Sequence, residues 1–84
     1  MIYTINFKKR AIKDLEKINE PFYSSIKQAI HNLVDDPRPL GYKKLKGRDS
    51  YRIRVGNYRI IYDIYDHELI IDIIALGHRK DIYK

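Results

Sequence analysis

Hydrophobic and polar positions along this chain change their spacing twice, and each change marks a new kind of element. Ile2 to Phe7 is dense in β-branched and aromatic residues and predicts an opening strand. From about Lys8 the spacing becomes helical. Ala11, Ile12, Leu15 and Ile18 fall on one side, and Lys13, Asp14, Glu16 and Lys17 on the other. Asn19-Glu20-Pro21 breaks the chain and restarts it, because proline is tolerated in a first helical turn. Phe22, Ile26, Ala29, Ile30 and Leu33 form the next apolar stripe. Asp35-Asp36-Pro37 ends that stripe, since the residue before a proline is pushed out of the helical region. The two stretches predict a helical hairpin.

After the Pro37 to Gly41 loop the period becomes that of strands. Lys43 to Lys46 reads as a short strand leading into a Gly47-Arg48-Asp49 turn, and Tyr51 to Val55 alternates without a break. Gly56-Asn57 is a two-residue hairpin signal, with glycine supplying the positive φ at its first position. Tyr58 to Tyr65 and Leu69 to Leu76 follow, joined at Asp66-His67-Glu68, and His78 to Lys84 reads as a polar tail. No repeat or linker divides the chain. The pattern predicts one α+β domain over residues 1–84: a strand, a helical hairpin, then a three- to four-stranded antiparallel meander with both helices on one sheet face.

The hairpin fixes a register, and the register gathers charge. With Gly56 and Asn57 as the loop, Val55 pairs with Tyr58, Arg54 with Arg59, and Ile53 with Ile60. Arg52, Arg54 and Arg59 then share one face, along with Ile61 and Ile74, which could offer a partner an apolar patch. Tyr51, Ile53, Val55, Tyr58, Ile60 and Tyr62 occupy the other face and suit a core beneath the helices. Like charges directly opposed in a sheet are destabilising, so two facing arginines beside a third suggest a site for an anion. Lys43, Lys44, Lys46 and Arg48 precede them, giving seven cations against one acid between Gly41 and Arg59. That concentration marks the electrostatic footprint of a phosphate-bearing partner, with the four earlier cations as its outlying contacts.

Composition narrows the classes. The 84 residues carry a formal charge of +6 and a pI near 9.6, which favours a polyanionic partner. Hydrophobic residues make up 44%, ample for one modest core but not for a deep, many-layered pocket. Without cysteine there is neither a disulfide framework nor a thiolate metal site, and three scattered histidines make a poor zinc set. No apolar run approaches the ~20 residues that span a bilayer, and the start is unlike a signal peptide. A soluble, cytoplasmic protein with no membrane partner and no cofactor is expected.

Three stretches together resemble the RelE/ParE toxins of type II toxin–antitoxin systems: Lys44-Leu45-Lys46-Gly47, the hairpin from Tyr51 to Tyr62, and His78-Arg79-Lys80-Asp81-Ile82-Tyr83. The element order is similar too. The RelE-like branch implies ribosome-dependent, metal-independent cleavage of mRNA, in which the message's own 2′-hydroxyl attacks the adjacent phosphate. It also implies an antitoxin, mRNA and the ribosome as partners. The family's cationic pair falls on Arg52 and Arg54, and its phosphate-holding arginine on Arg59. The arginine after the last strand falls on Arg79, and the base-stacking terminal aromatic on Tyr83. The RelE type carries lysines where this chain has Arg52 and Arg54. Arginine does not release its proton in proteins, so a general base would be sought in His78 or Tyr83. With only Lys84 after Tyr83, no C-terminal helix is expected over the basic face.

Other readings give different observables. A ParE-like toxin would inhibit DNA gyrase by binding, without cutting RNA. A non-catalytic nucleic-acid-binding module would show steep salt dependence and no cleaved product. A protein-interaction domain would leave the facing arginines unexplained.

Overall fold

The computed structural model describes residues 2–78 and 80. β1 (Thr4–Phe7) leads into α1 (Lys9–Glu16) and α2 (Phe22–Asn32). β2 (Lys43–Lys44), β3 (Ser50–Val55), β4 (Tyr58–Tyr65) and β5 (Ile70–His78) follow, and the five strands form one sheet in the order β1-β5-β4-β3-β2. The α+β architecture is the expected one. The hairpin register is also as expected: Val55 faces Tyr58, Arg54 faces Arg59, and Ile53 faces Ile60. Gly56 turns the chain at φ +60 while Asn57 keeps a negative φ, the type II′ arrangement whose twist suits a tight hairpin.

β1 was not expected where it lies. It pairs in parallel with β5, Thr4 beside Ile70 and Phe7 beside Ile73, on the edge of an otherwise antiparallel sheet. The helical hairpin carries the chain across one sheet face before the meander begins, and such a crossover permits parallel pairing. β2 is shorter than the predicted Lys43–Lys46, because Leu45 already turns and donates its N–H to the Ser50 carbonyl at 2.9 Å. The last strand begins one residue later than predicted, since Leu69 adopts φ 55 in the turn, and it runs on through His78.

One core lies between the helices and the sheet. Ala11, Ile18, Ile26, Ile30 and Leu33 meet Ile53, Ile60, Tyr62, Ile71, Ile73 and Leu76 there. Two members of the predicted helical stripes face outward instead: Ile12 is 46% exposed and Phe22 44%. Phe22 lies over the hairpin end, its ring 5.2 Å from that of Tyr58.

Strict alternation along β5 would put Ile71, Ile73 and Ala75 on the core side. A β-bulge prevents this. Ile61 pairs with Ala75 but Tyr62 pairs with Ile73, so Ile74 is an extra residue on its strand. Beyond it the faces exchange: Leu76 joins the main core, and Ala75 moves to the outer face beside Ile61.

The loop from Val34 to Tyr42 is held by aromatic and ionic contacts that no short-range pattern announces. Tyr42, Tyr51 and Tyr62 stand in a column with ring centroids 6.0 Å apart, and the Tyr62 hydroxyl donates to the Pro37 carbonyl at 2.7 Å. Arg38 lies over the Tyr51 ring and donates to Asp66 Oδ2 at 3.0 Å, while the Tyr3 hydroxyl donates to Asp66 Oδ1 at 2.7 Å. The Arg38 hydrogen bond, then that from Tyr3, holds the Asp66 carboxyl below the ordinary carboxylate range. A carboxyl with a lowered folded-state pKa stabilises above its unfolded pKa and loses that contribution as pH falls through the folded value. Asp66→Asn should therefore be less stable than wild type at pH 7, with the gap closing under acid below about pH 4, as urea titrations at several pH values would show.

Candidate nucleic-acid interface

Alternation and the type II′ turn deliver Arg52, Arg54 and Arg59 to the outer sheet face, as the sequence predicts. In a two-residue hairpin the rung beyond the turn-closing pair is non-hydrogen-bonded, with Cα atoms about 4.5 Å apart and side chains at their closest. Arg54 and Arg59 occupy that rung. Two guanidinium charges roughly 6 Å apart repel by about 0.7–3 kcal/mol at an effective dielectric of 80 down to 20. An anion seated between them reverses the sign of that interaction.

The three arginines differ in access. Arg54 is exposed, Arg59 is half-buried, and Arg52 is 7% exposed with Lys43 opposite it on one side and Ile61 on the other. Arg54 is thus the most accessible of the three, and Arg52, two positions along the same strand, the least. Gly77 faces Arg59 from β5, so no side chain stands across from it on that side.

The remaining expected cations scatter. Lys43 shares the arginine face, being opposite Arg52. Lys44 is opposite Tyr51 and so belongs to the other face, its Nζ 3.7 Å from Asp49 Oδ1. Lys46 and Arg48 are exposed in the turn that follows. Arg79 and Tyr83 lie outside the described residues.

His78 is not grouped with the arginines. It is the rung partner of Tyr58, on the helix side of the sheet, with its ring edge-on to Tyr58 at 5.8 Å. Its Nδ1 accepts the Lys80 N–H at 3.3 Å. The helix-side face separates it from the three arginines, so a general-base role for it would not be exercised at the arginine rung. His78→Gln should leave RNA cleavage within about threefold of wild type and its pH dependence unchanged, a pair that single-turnover rates at several pH values would test.

Ile61 and Ile74 likewise depart from expectation. Ile61 is only 3% exposed and packs with Ala75, Ile74 and Leu45 as a small second cluster, not as an open patch. Farther along the same face the charge turns negative. Ser50 Oγ donates to Asp63 Oδ1 at 2.6 Å, Asp63 is opposite Asp72, and Lys8 Nζ lies 3.6 Å from Asp72 Oδ2. The outer face therefore carries arginines at the hairpin, the small apolar cluster next to them, and carboxylates at the far end. The sequence offered no local signal of that polarity.

Arranged this way, the arginine end can hold a phosphate and stabilise added negative charge on it, and among the described residues there it offers no group able to accept a proton. Comparison with known proteins gives the family. The chain is 32% identical over 88 residues to the "Putative toxin RelE1" of Methanocaldococcus jannaschii, covering all of this chain and 98% of that protein. It is 28% identical to the "mRNA interferase toxin RelE" of Escherichia coli, over 95% of this chain and 86% of that one. Its fold superposes on the archaeal RelE of the RelE–RelB complex from Pyrococcus horikoshii with a TM-score of 0.84 at 29% identity, covering 96% and 99% of the two chains. The model of the ParE toxin of type II toxin–antitoxin systems matches residues 5–83. On this evidence the chain belongs to the ParE toxin family of type II toxin–antitoxin systems, within the RelE/ParE superfamily.

Proposed function

We propose that this toxin is a ribosome-dependent endoribonuclease that cuts mRNA by attack of the message's own 2′-hydroxyl on the neighbouring phosphate, without a metal. The observation that carries this reading is the Arg54–Arg59 rung with Arg52 two positions along on the same face. Its relatives named as RelE toxins support it. Attack makes a five-coordinate phosphorus with an extra negative charge, and the arginines stabilise that charge more than the ground state, which is what accelerates a reaction. The P–O5′ bond then breaks, leaving a cyclic phosphate on one fragment and a 5′-hydroxyl on the other. Arg79 would meet the leaving oxygen and Tyr83 would stack on a base or take the proton. A cognate antitoxin would hold the protein inactive, as the antitoxin chains in the RelB–RelE complexes of its structural relatives suggest.

Primer extension on a defined mRNA, with purified protein and with or without translating ribosomes, tests the reading. Discrete cuts only with ribosomes are expected. Their downstream fragments should accept phosphate from polynucleotide kinase without prior phosphatase treatment, and a single 2′-deoxy nucleotide before the cut should abolish it. Cuts without ribosomes would remove the ribosome from the mechanism. No cut by a folded, toxic protein, together with inhibited gyrase supercoiling, would overturn the proposal in favour of the ParE-like reading.

A further inference from the structure

We infer that a second, separate seat for RNA lies on the helix side of the sheet, in the cleft between α1 and the end of β5, and that it takes one nucleotide of a strand crossing the arginine face. This rests on the RNA-cutting reading above. The cleft has a volume of about 380 Å³, within the range of small-ligand sites. Arg10, Asp14 and Lys17 reach it from one side of α1, being four and three residues apart, and Tyr58, Leu76 and His78 line it from the sheet. Asp14 is already engaged: its Oδ2 accepts the Leu76 N–H at 3.1 Å and lies 3.6 Å from Arg10 Nε. Two permanent cations against one committed carboxylate leave the cleft positive. The His78 ring stands edge-on to Tyr58 at 5.8 Å and adds a second ring to the lining. Cations beside aromatic rings and an apolar floor are what a nucleotide needs, the charges for its phosphate and the rings for its base.

The route to it follows from the polarity of the outer face. A strand held at Arg54 and Arg59 is repelled from the Asp63–Asp72 end. The opposite direction passes Gly77, which has no side chain, and the next rung is Tyr58–His78 at the cleft. An acidic peptide would use the cations but not the ring floor, so RNA is the better fit.

The test is fluorescence anisotropy at low salt with RNA oligonucleotides from two to nine nucleotides, made uncleavable by 2′-deoxy substitution at the cut. Wild type should gain affinity as the strand lengthens on one side of the cut. Arg10→Gln/Lys17→Gln should bind the dinucleotide like wild type and lose about tenfold on the long strands. Its salt slope should fall by about 0.7 per lost contact. Lys9→Gln/Lys13→Gln removes the same charge from α1 away from the cleft and should keep the length gain. Equal losses in the two double variants, or none in the first, would overturn the cleft. So would an unchanged RNA gain accompanied by loss of affinity for an acidic antitoxin segment. Failure of wild type to bind any length would instead overturn the RNA-cutting reading itself.

Discussion

Arg59→Ala should cut mRNA on programmed ribosomes at least a hundredfold more slowly than wild type while remaining folded. Arg59 sits on β4, the middle strand of the five, with Arg54 across from it on one side and Gly77 on the other. The half-buried residue is therefore carried by the sheet and not by a loop. Loss of one preorganised donor to a developing oxyanion typically lowers the rate ~10²–10³-fold. A thermal melt of the variant should still show one cooperative transition. Arg59→Lys keeps the charge but loses the planar fork, and about a tenfold loss is expected. Single-turnover cleavage and thermal melts on the same preparations read both effects. A folded Arg59→Ala that cuts at the wild-type rate would remove the arginine rung from the mechanism.

Tyr62→Ala should be the most damaging single change to the fold. Tyr62 is fully buried on β4, stacked against Tyr51 and bonded to the Pro37 carbonyl. Emptying a site that held a large aromatic costs about 3–5 kcal/mol, against a total of roughly 4–13 kcal/mol for a domain this size. A fall in melting temperature of about 15–30 °C follows. Tyr62→Phe keeps the ring and leaves the carbonyl without that donor, so about 1–2 kcal/mol is expected. Burial pushes the Tyr62 hydroxyl pKa well up, so it remains a donor throughout the neutral range. Urea unfolding of both variants gives the comparison, and a Tyr62→Ala protein within 1 kcal/mol of wild type would contradict the packing described here.

What the sequence disclosed depended on how locally it was encoded. The arginine rung was legible because a two-residue turn with glycine first leaves one register, and the register decides the faces. The helical hairpin was legible from its stripes, although Ile12 and Phe22 belong to those stripes and still face outward. β1 was not placed, because four residues contain nothing that names a parallel partner more than sixty residues away. The bulge was hidden for a different reason. Ile73-Ile74-Ala75-Leu76 is apolar throughout, so no polar residue marks where the alternation slips. Missing that slip left the side of the sheet on which His78 stands undetermined, and with it the objection to its role as a base. Arg38, Asp66 and Tyr3 were invisible for the plainest reason: they meet only after the chain has folded.

The extra residue at Ile74 makes the length of the last strand a matter of odd and even. Counting back from the arginine rung, Gly77 and Ala75 present almost nothing to the outer face, and Leu76 fills the core, with one extra residue taken up at the bulge. Deleting that one extra residue would make the Ile61–Ala75 and Tyr62–Ile73 rungs consecutive and leave every side chain on its present face. Deleting a residue elsewhere in the strand while the bulge remains would exchange small for large on both faces beyond the deletion. Single-residue loss in β5 should therefore be tolerated at the bulge and nowhere else along the strand.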